Sequence, residues 1–308
     1  MSESSLPLIR LRALTKRFGS RLALDRLDLD VSRGEVFGLL GHNGAGKSTA
    51  IGMMLGQVWP TDGEVHIFGA DVTNDRRRAL ARVGAIFETP VFYDYLSGWR
   101  NLQILASYTA PTPDQRLREV LDWVGLTGRE QSKVRTYSHG MRARLALAQA
   151  LLPSPELLIL DEPSDGLDPE GIHEMRQTVL RLRRELGLTI LLSSHLLNEV
   201  EQLCTRIAVL RQGRKVFDGP LTEVVRGHNW FRLRTDDFGA AAALLRAEGL
   251  VRVVGADGRL QLAGDVTPDR VVARLVGAGV RVYEFAAEEQ TLEDFYLGLM
   301  REPAVVAS

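Results

Sequence analysis

The chain has 308 residues, enough for a full core and a second small domain. Its hydrophobic fraction of 45%, charged fraction of 25% and formal charge of −1 are those of an ordinary globular protein. They exclude a net positive field that would draw the whole chain to nucleic acid or anionic lipid. One cysteine, Cys204, rules out an intrachain disulfide and fits the cytosol. Met1–Ser5 carries no basic-then-apolar leader, and no apolar run approaches the ~20 residues of a membrane span, so any membrane must be met through another chain.

In chain order, Leu8–Leu14 and Leu22–Val31 alternate apolar and polar residues and read as half-buried strands. Glu35–Leu40 is a nearly continuous apolar run, as in a strand buried on both faces of a mostly parallel sheet. Lys47–Leu55 reads as a helix, Pro60–Gly63 as a turn, and Val65–Phe68 and Val83–Phe87 as short strands. Arg76-Arg77-Arg78 is expected on a solvated helix face. From about Ser97 to Leu152 helical spacing takes over, with Leu102 and Leu105, then Leu117, Val120, Leu121 and Val124, marking two amphipathic helices before a longer one over Met141–Leu152.

Strands resume at Leu157–Leu160 and Leu188–Ser193, flanking a charged helix over Pro169–Leu186. Arg206–Arg211 and Arg214–Phe217 flank Gln212-Gly213 as a hairpin. After Gly227-His228-Asn229 the texture changes. Strand Trp230–Arg234, helix Ala240–Glu248, a hairpin of Val251–Val254 and Leu260–Ala263 around Asp257-Gly258, helix Pro268–Val276 and strand Val280–Phe285 spell βαββαβ, the split ferredoxin-like unit. A last helix, Leu292–Met300, precedes a tail, Pro303–Ser308, expected to fray.

The stretch Gly41-His42-Asn43-Gly44-Ala45-Gly46-Lys47-Ser48-Thr49 matches the phosphate-loop pattern, between a buried strand and a helix. Glycines let successive N–H groups turn toward phosphate oxygens, and the positive end of the following helix adds to the attraction. Lys47, one of only four lysines, supplies the point charge for the β- and γ-phosphates, and Ser48 a hydroxyl for Mg²⁺. Leu157–Leu160 runs into Asp161-Glu162-Pro163. Alternation on a strand would aim Asp161 at Mg²⁺ through water and Glu162 at a different point, that of an attacking water. His195, just past another core strand, is placed to reach the γ-phosphate. Asp168 before Pro169 is a helix N-cap, and Ser138 caps the head of the long helix.

Tyr137-Ser138-His139-Gly140-Met141 brings these motifs into the order of a known family. Over about residues 8–225 the chain resembles the nucleotide-binding subunits of ATP-binding cassette (ABC) transporters. The resemblance implies an α/β core with an N-terminal antiparallel β subdomain and a helical subdomain at about 97–152, forming a cassette at 6–226; the βαββαβ pattern beyond it reads as an α+β regulatory or accessory domain at 228–302. It implies ATP and Mg²⁺ as cofactors, and a head-to-tail homodimer in which Ser138 and Gly140 bind the partner's γ-phosphate. Phe18 matches the aromatic that stacks on adenine, and Asp168 the aspartate that signals across the dimer. The usual signature, Leu-Ser-Gly-Gly-Gln, is altered here at three of its five positions, with the serine and second glycine kept. Glu88 stands where the family carries a glutamine near Mg²⁺. A carboxylate can also ligate Mg²⁺. Asp165 replaces a usual serine or asparagine, a change the sequence does not explain.

The run from Glu88 through Thr89-Pro90-Val91-Phe92-Tyr93-Asp94-Tyr95-Leu96-Ser97-Gly98, and Thr291–Tyr296, resemble the branch serving separate export permeases. The resemblance implies an integral membrane permease as partner, a peripheral place on the cytoplasmic face of the membrane, and no nucleic acid. Phe92, Tyr93, Tyr95 and Trp99 either meet that permease or pack onto their own helical segment. The rival reading is a soluble ABC ATPase in translation, repair or regulatory binding. Such proteins usually join two cassettes or insert coiled coils or zinc clusters, which this sequence lacks.

Overall fold

A computed structural model describes residues 6–88, 91–108, 112–226, 230–255, 258–288 and 291–301. The expected loop residues Thr89-Pro90, the boundary residues 227–229, the turn residue Asp257 and the tail Pro303–Ser308 lie outside them. The chain divides into two compact units, with the break between Pro220 and Leu221. The sequence places that boundary a few residues later, at 226–228.

In the first unit, β1 (Ile9–Phe18), β2 (Arg21–Val31), β4 (Asp62–Ile67) and β5 (Ala70–Asp71) form an antiparallel sheet of order β2-β1-β4-β5. β1 runs four residues past the expected Leu14 because the alternation slips. Ala13 (φ 46) and Arg26 (φ 50) bulge on facing strands, and the β1–β2 register shifts on both sides of Leu14. The second sheet holds β3 (Val36–Leu40), β6 (Val83–Ile86), β7 (Leu157–Asp161), β8 (Thr189–Ser194), β9 (Arg206–Arg211) and β10 (Arg214–Pro220) in the order β10-β9-β3-β8-β7-β6. All its pairs are parallel except the β9–β10 hairpin at the edge. Every residue of β3, β7 and β8 is buried, which is why these strands read as unbroken apolar runs.

One core binds the two sheets around α1 (Lys47–Met54): Leu11, Leu24 and Leu29 of the antiparallel sheet meet Ile51 and Met54 of α1 and Ile159 and Leu191 of the parallel sheet. The helical segment is α3 (Gly98–Ser107), α4 (Asp114–Trp123) and α5 (His139–Leu151). α5 begins two residues before the expected Met141, because Ser138 is its N-cap and accepts from the Met141 N–H at 3.2 Å. Arg76–Leu80 is a short helix, α2, whose three arginines are exposed as expected. α6 (Pro169–Leu186) starts on the Asp168 cap, whose carboxylate accepts from the Gly171 N–H at 2.9 Å. α7 (Leu197–Leu203) was not anticipated; with only two turns it presents too little periodicity to read.

The aromatic loop splits. Phe92 is buried at 8% exposure and belongs to the fold, while Tyr93 and Tyr95 are exposed and meet edge to face at 6.1 Å. The second unit contains α8 (Leu221–Arg226), β11 (Trp230–Thr235), α9 (Phe238–Ala247), β12 (Val251–Val254), β13 (Arg259–Leu262), α10 (Pro268–Gly277), β14 (Val282–Glu288) and α11 (Leu292–Arg301). Its antiparallel sheet has the order β12-β13-β11-β14, packed against α9 and α10 through Leu233, Leu245, Leu260, Val271 and Leu275.

Candidate functional site

The loop from Gly41 to Gly46 leaves the C-terminal end of β3 and feeds α1, so it lies outside the carboxyl ends of a parallel sheet where ligands of such folds bind. Gly46 adopts φ 110 as the residue before α1, and a Cβ there would lie 2.8 Å from the Ala23 carbonyl oxygen. Only glycine fits so tight and left-handed a position. The loop closes on itself through Ala45 N–H to His42 O (3.0 Å) and is tied to the β9–β10 turn by Gly213 N–H to Ala45 O (2.9 Å). Asn43, Gly44, Ala45, Gly46, Lys47, Ser48 and Thr49 line a cavity of about 320 Å³ together with Phe18, Glu162 and His195. Gly41 contributes its carbonyl, and the exposed His42 ring turns to the Asn43 carbonyl at 2.7 Å.

Lys47 is buried at 5% exposure, and its ammonium is held twice. Nζ donates to Gly41 O at 2.7 Å and pairs with Glu162 Oε1 at 3.0 Å. An ammonium has three protons, so one remains for a further acceptor in the cavity. Glu162 Oε2 accepts from His195 Nδ1 at 2.7 Å and from the His195 backbone N–H at 3.3 Å. Burial pushes the Glu162 carboxyl up, but the hydrogen bonds from Lys47 and His195 outweigh it and hold the group below the ordinary glutamate range. The Nδ1 proton of His195 therefore goes to a carboxylate, leaving Nε2 as the ring's remaining polar atom.

Glu162 does not continue the strand, which corrects the alternation argument. β7 ends at Asp161, and Glu162 turns into the left-handed region at φ 47. A non-glycine residue there stores of order 1–3 kcal/mol of strain. The two acids still diverge, but a backbone turn separates them rather than the pleat. Asp161 stays buried and accepts from Ser193 Oγ at 2.5 Å. A second cleft, of about 710 Å³, brings Ser48, Glu88, Asp161 and Glu162 together with Tyr137 and Arg142. Glu88 is exposed and also left-handed, at φ 60.

Three of the expected ligands do not join their own phosphate loop. Among the described residues lining the two cavities, neither Ser138, Gly140 nor Asp168 is present. Ser138 is exposed at the head of α5, Gly140 is buried one step along, and Asp168 is exposed at the head of α6. Sequence reading missed Arg21 and Asp165 in the phosphate-loop cavity, Asp165 also lining the second cleft. The Asp165 N–H closes a turn onto the Glu162 carbonyl at 3.0 Å. Its departure from the family pattern had marked the position.

Glu199 in α7 lies behind this machinery. It is buried at 6% exposure; Oε2 accepts from Ser194 Oγ at 3.4 Å, and Oε1 has no hydrogen-bond partner among the described residues. Burial pushes its carboxyl up, and the hydroxyls of Ser164 and Ser194 offset only part of that. A raised acid favours the fold while protonated, and that contribution is lost as pH rises through the raised value. Glu199→Gln, which cannot ionise, is expected to melt above the native protein near about pH 8, the gap closing toward about pH 4. Thermal melts across that range check the sign.

The family model described as ABC transporter matches residues 24–165. The chain is 39% identical over 297 residues to the uncharacterized ABC transporter ATP-binding protein YhcH of Bacillus subtilis (strain 168), covering 96% of each. It is 36% identical over 297 residues to the bacitracin transport ATP-binding protein BcrA of Bacillus licheniformis, covering 95% of this chain and 97% of that one. A solved structure described as the ATP binding subunit of an ABC transporter superposes with a TM-score of 0.62 at 31% identity, over 71% of this chain and 92% of that one. A phosphate loop, a lysine bound to an acid at the end of a core strand, and relatives matched along nearly their whole length lead to one conclusion: the chain belongs to the ATP-binding subunits of ABC transporters, ATPases whose hydrolysis serves transport.

Proposed function

We propose that this chain is the ATP-hydrolysing subunit of an exporter, and that it works as a head-to-tail homodimer holding two ATP molecules and driving a separate integral membrane permease. The observation that carries the dimer is the split of the site. Lys47, Glu162 and His195 converge on one cavity, while Ser138 sits on an exposed helix terminus outside it. A helix N-terminus with free N–H groups is an anion site, and here its natural anion is the γ-phosphate held by a second copy. We read Asp168, exposed at the head of the next long helix, as reporting across the same junction. Export rests on the BcrA relative, which is named for bacitracin transport.

Within each half, the phosphate-loop N–H groups and the third Lys47 proton bind the triphosphate, and Phe18, 51% exposed at the cavity edge, offers its ring face to adenine. Glu162 is the general base for the attacking water, and His195 Nε2 meets the γ-phosphate. Ser48, Glu88 and Asp161, which line one cleft, would be the oxygen donors for Mg²⁺, a donor set that suits a hard cation. No three His, Cys, Asp or Glu side chains among the described residues could hold a metal by themselves. The ion would therefore depend on phosphate oxygens and water, as Mg²⁺ commonly does, and would neutralise charge on the β- and γ-phosphates.

Among the described residues no helix is long and apolar enough to cross a membrane. We read the subunit as peripheral, meeting the cytoplasmic face of the membrane through its permease. The exposed Val91, Tyr93 and Tyr95 support a contact there. We read residues 6–226 as the cassette, with a helical subdomain at about 97–152. The strand order β12-β13-β11-β14 supports reading 228–302 as a ferredoxin-like accessory domain. Light scattering on the purified chain is expected to show a monomer without nucleotide and a dimer with Mg²⁺ and ATP, and the native chain is expected to co-purify with a multi-span permease. A chain that neither pairs nor retains a permease would overturn the proposal.

A further inference from the structure

We infer that Ser193 is a positioning residue that sets both acids of the site through a single hydroxyl. Ser193 lies on β8 with no solvent exposure, in register with Asp161 of β7 on one side and Leu39 of β3 on the other. Its Oγ donates to Asp161 Oδ1 at 2.5 Å and accepts from the Glu162 N–H at 3.0 Å. The directions are forced. A peptide N–H can only donate, so Ser193 accepts there and gives its one hydroxyl proton to Asp161 Oδ1.

Each bond fixes a different acid. The bond to Asp161 ties down Oδ1 and leaves Oδ2 as the oxygen for a cation or its water. The bond from Glu162 holds the peptide that joins the two acids, at the point where the chain turns to φ 47. Glu162 would otherwise be free to relax toward an extended backbone, and its carboxylate would leave Lys47 and His195, which it meets at 3.0 and 2.7 Å. Ser193 thus has no exposure and lines neither cavity, yet it determines where both acids stand. A hydroxyl sealed on a strand between two others is well suited to that, since it has no alternative partner in solvent.

The inference rests on the proposed roles of Asp161 and Glu162, and its test separates the two. In the full-length chain, Ser193→Ala is expected to lower kcat by roughly 10–10²-fold, the scale of a misplaced reacting group, with KM for ATP within about twofold. Mg²⁺ titrations of fluorescent MANT-ATP binding, which need no turnover, are expected to shift to several-fold higher Mg²⁺. Ser193→Thr, which keeps the hydroxyl, is expected to restore both readouts. Ser193→Cys keeps the volume with a weaker donor, so it reads the same losses where the alanine variant does not fold. Native kcat and native Mg²⁺ dependence in Ser193→Ala or Ser193→Cys would overturn the inference, as would a threonine variant as impaired as alanine. Glu162→Gln is measured alongside. If it too turns over like the native chain, the roles of the acids fall; if it is inactive while both Ser193 variants are native, only the positioning role falls.

Discussion

Glu162→Gln is expected to reduce ATP turnover by at least about 10²-fold, the usual scale of a positioned general base, while ATP still binds. Among the described residues lining the cavity, this carboxylate is the one held by two fixed donors, Lys47 at 3.0 Å and His195 at 2.7 Å. Glutamine keeps the shape. Its amide oxygen can accept from Lys47, and its NH₂ can donate to His195 Nδ1 once the imidazole takes the other tautomer, at the loss of the long bond from the His195 backbone N–H. The fold and the phosphate loop therefore survive, and what is lost is basicity and that one 3.3 Å bond. With hydrolysis blocked, the ATP-bound dimer is expected to accumulate, read by phosphate release, MANT-ATP binding and light scattering on one sample. Turnover equal to the native chain would remove Glu162 as the hydrolytic residue. Because the donors hold its carboxyl below the ordinary glutamate range, Glu162 stays ionised through neutral pH. Its contribution is expected to be lost only as pH falls through that lowered value.

What the sequence made legible was local or periodic. The phosphate loop is a contiguous motif between a strand and a helix, and the strands β3, β7 and β8 announce themselves because burial on both faces removes polar residues from the run. The Asp168 and Ser138 caps could be read because capping is decided within four residues. What escaped reading depends on a third dimension or on a backbone angle. The Lys47–Glu162 pair joins two loops far apart in the chain, and nothing in either motif predicts it. The left-handed turns at Ala13, Glu88 and Glu162 fall on residues that rarely adopt them, so sequence alternation makes β1 look shorter than it is and Glu162 look like strand. Phe92 looks like its exposed neighbours Tyr93 and Tyr95 and differs only in which way the loop folds. Ser193 carries no motif at all; its signal is a register position beside Asp161 that exists only once the sheet is assembled.

Substitutions at Ser138 are expected to separate hydrolysis from ATP binding. Ser138 caps α5 through the Met141 N–H, so Ser138→Ala costs stability as well, about 1 kcal/mol for a lost cap. Ser138→Asp avoids that confusion, because aspartate caps a helix as well as serine does and its charge suits the helix dipole. The same charge facing a partner's γ-phosphate would be repelled. The aspartate variant is therefore expected to melt like the native chain and to bind ATP as a monomer with native affinity. Its turnover should fall by roughly 10²-fold or more, the scale seen when one preorganised donor is removed from a developing charge. Mixing decides whether the contact crosses between copies. Lys47→Ala spoils the phosphate loop and Ser138→Asp spoils the opposing helix. A mixed head-to-tail dimer of the two has one site with both halves native and one with both halves spoiled. Each variant alone has no intact site. Phosphate release that appears only on mixing is the expected result. If the mixture stays as inactive as its components, or if Ser138→Asp loses monomer ATP binding as steeply as turnover, then Ser138 serves the phosphate loop of its own chain and the head-to-tail arrangement is wrong.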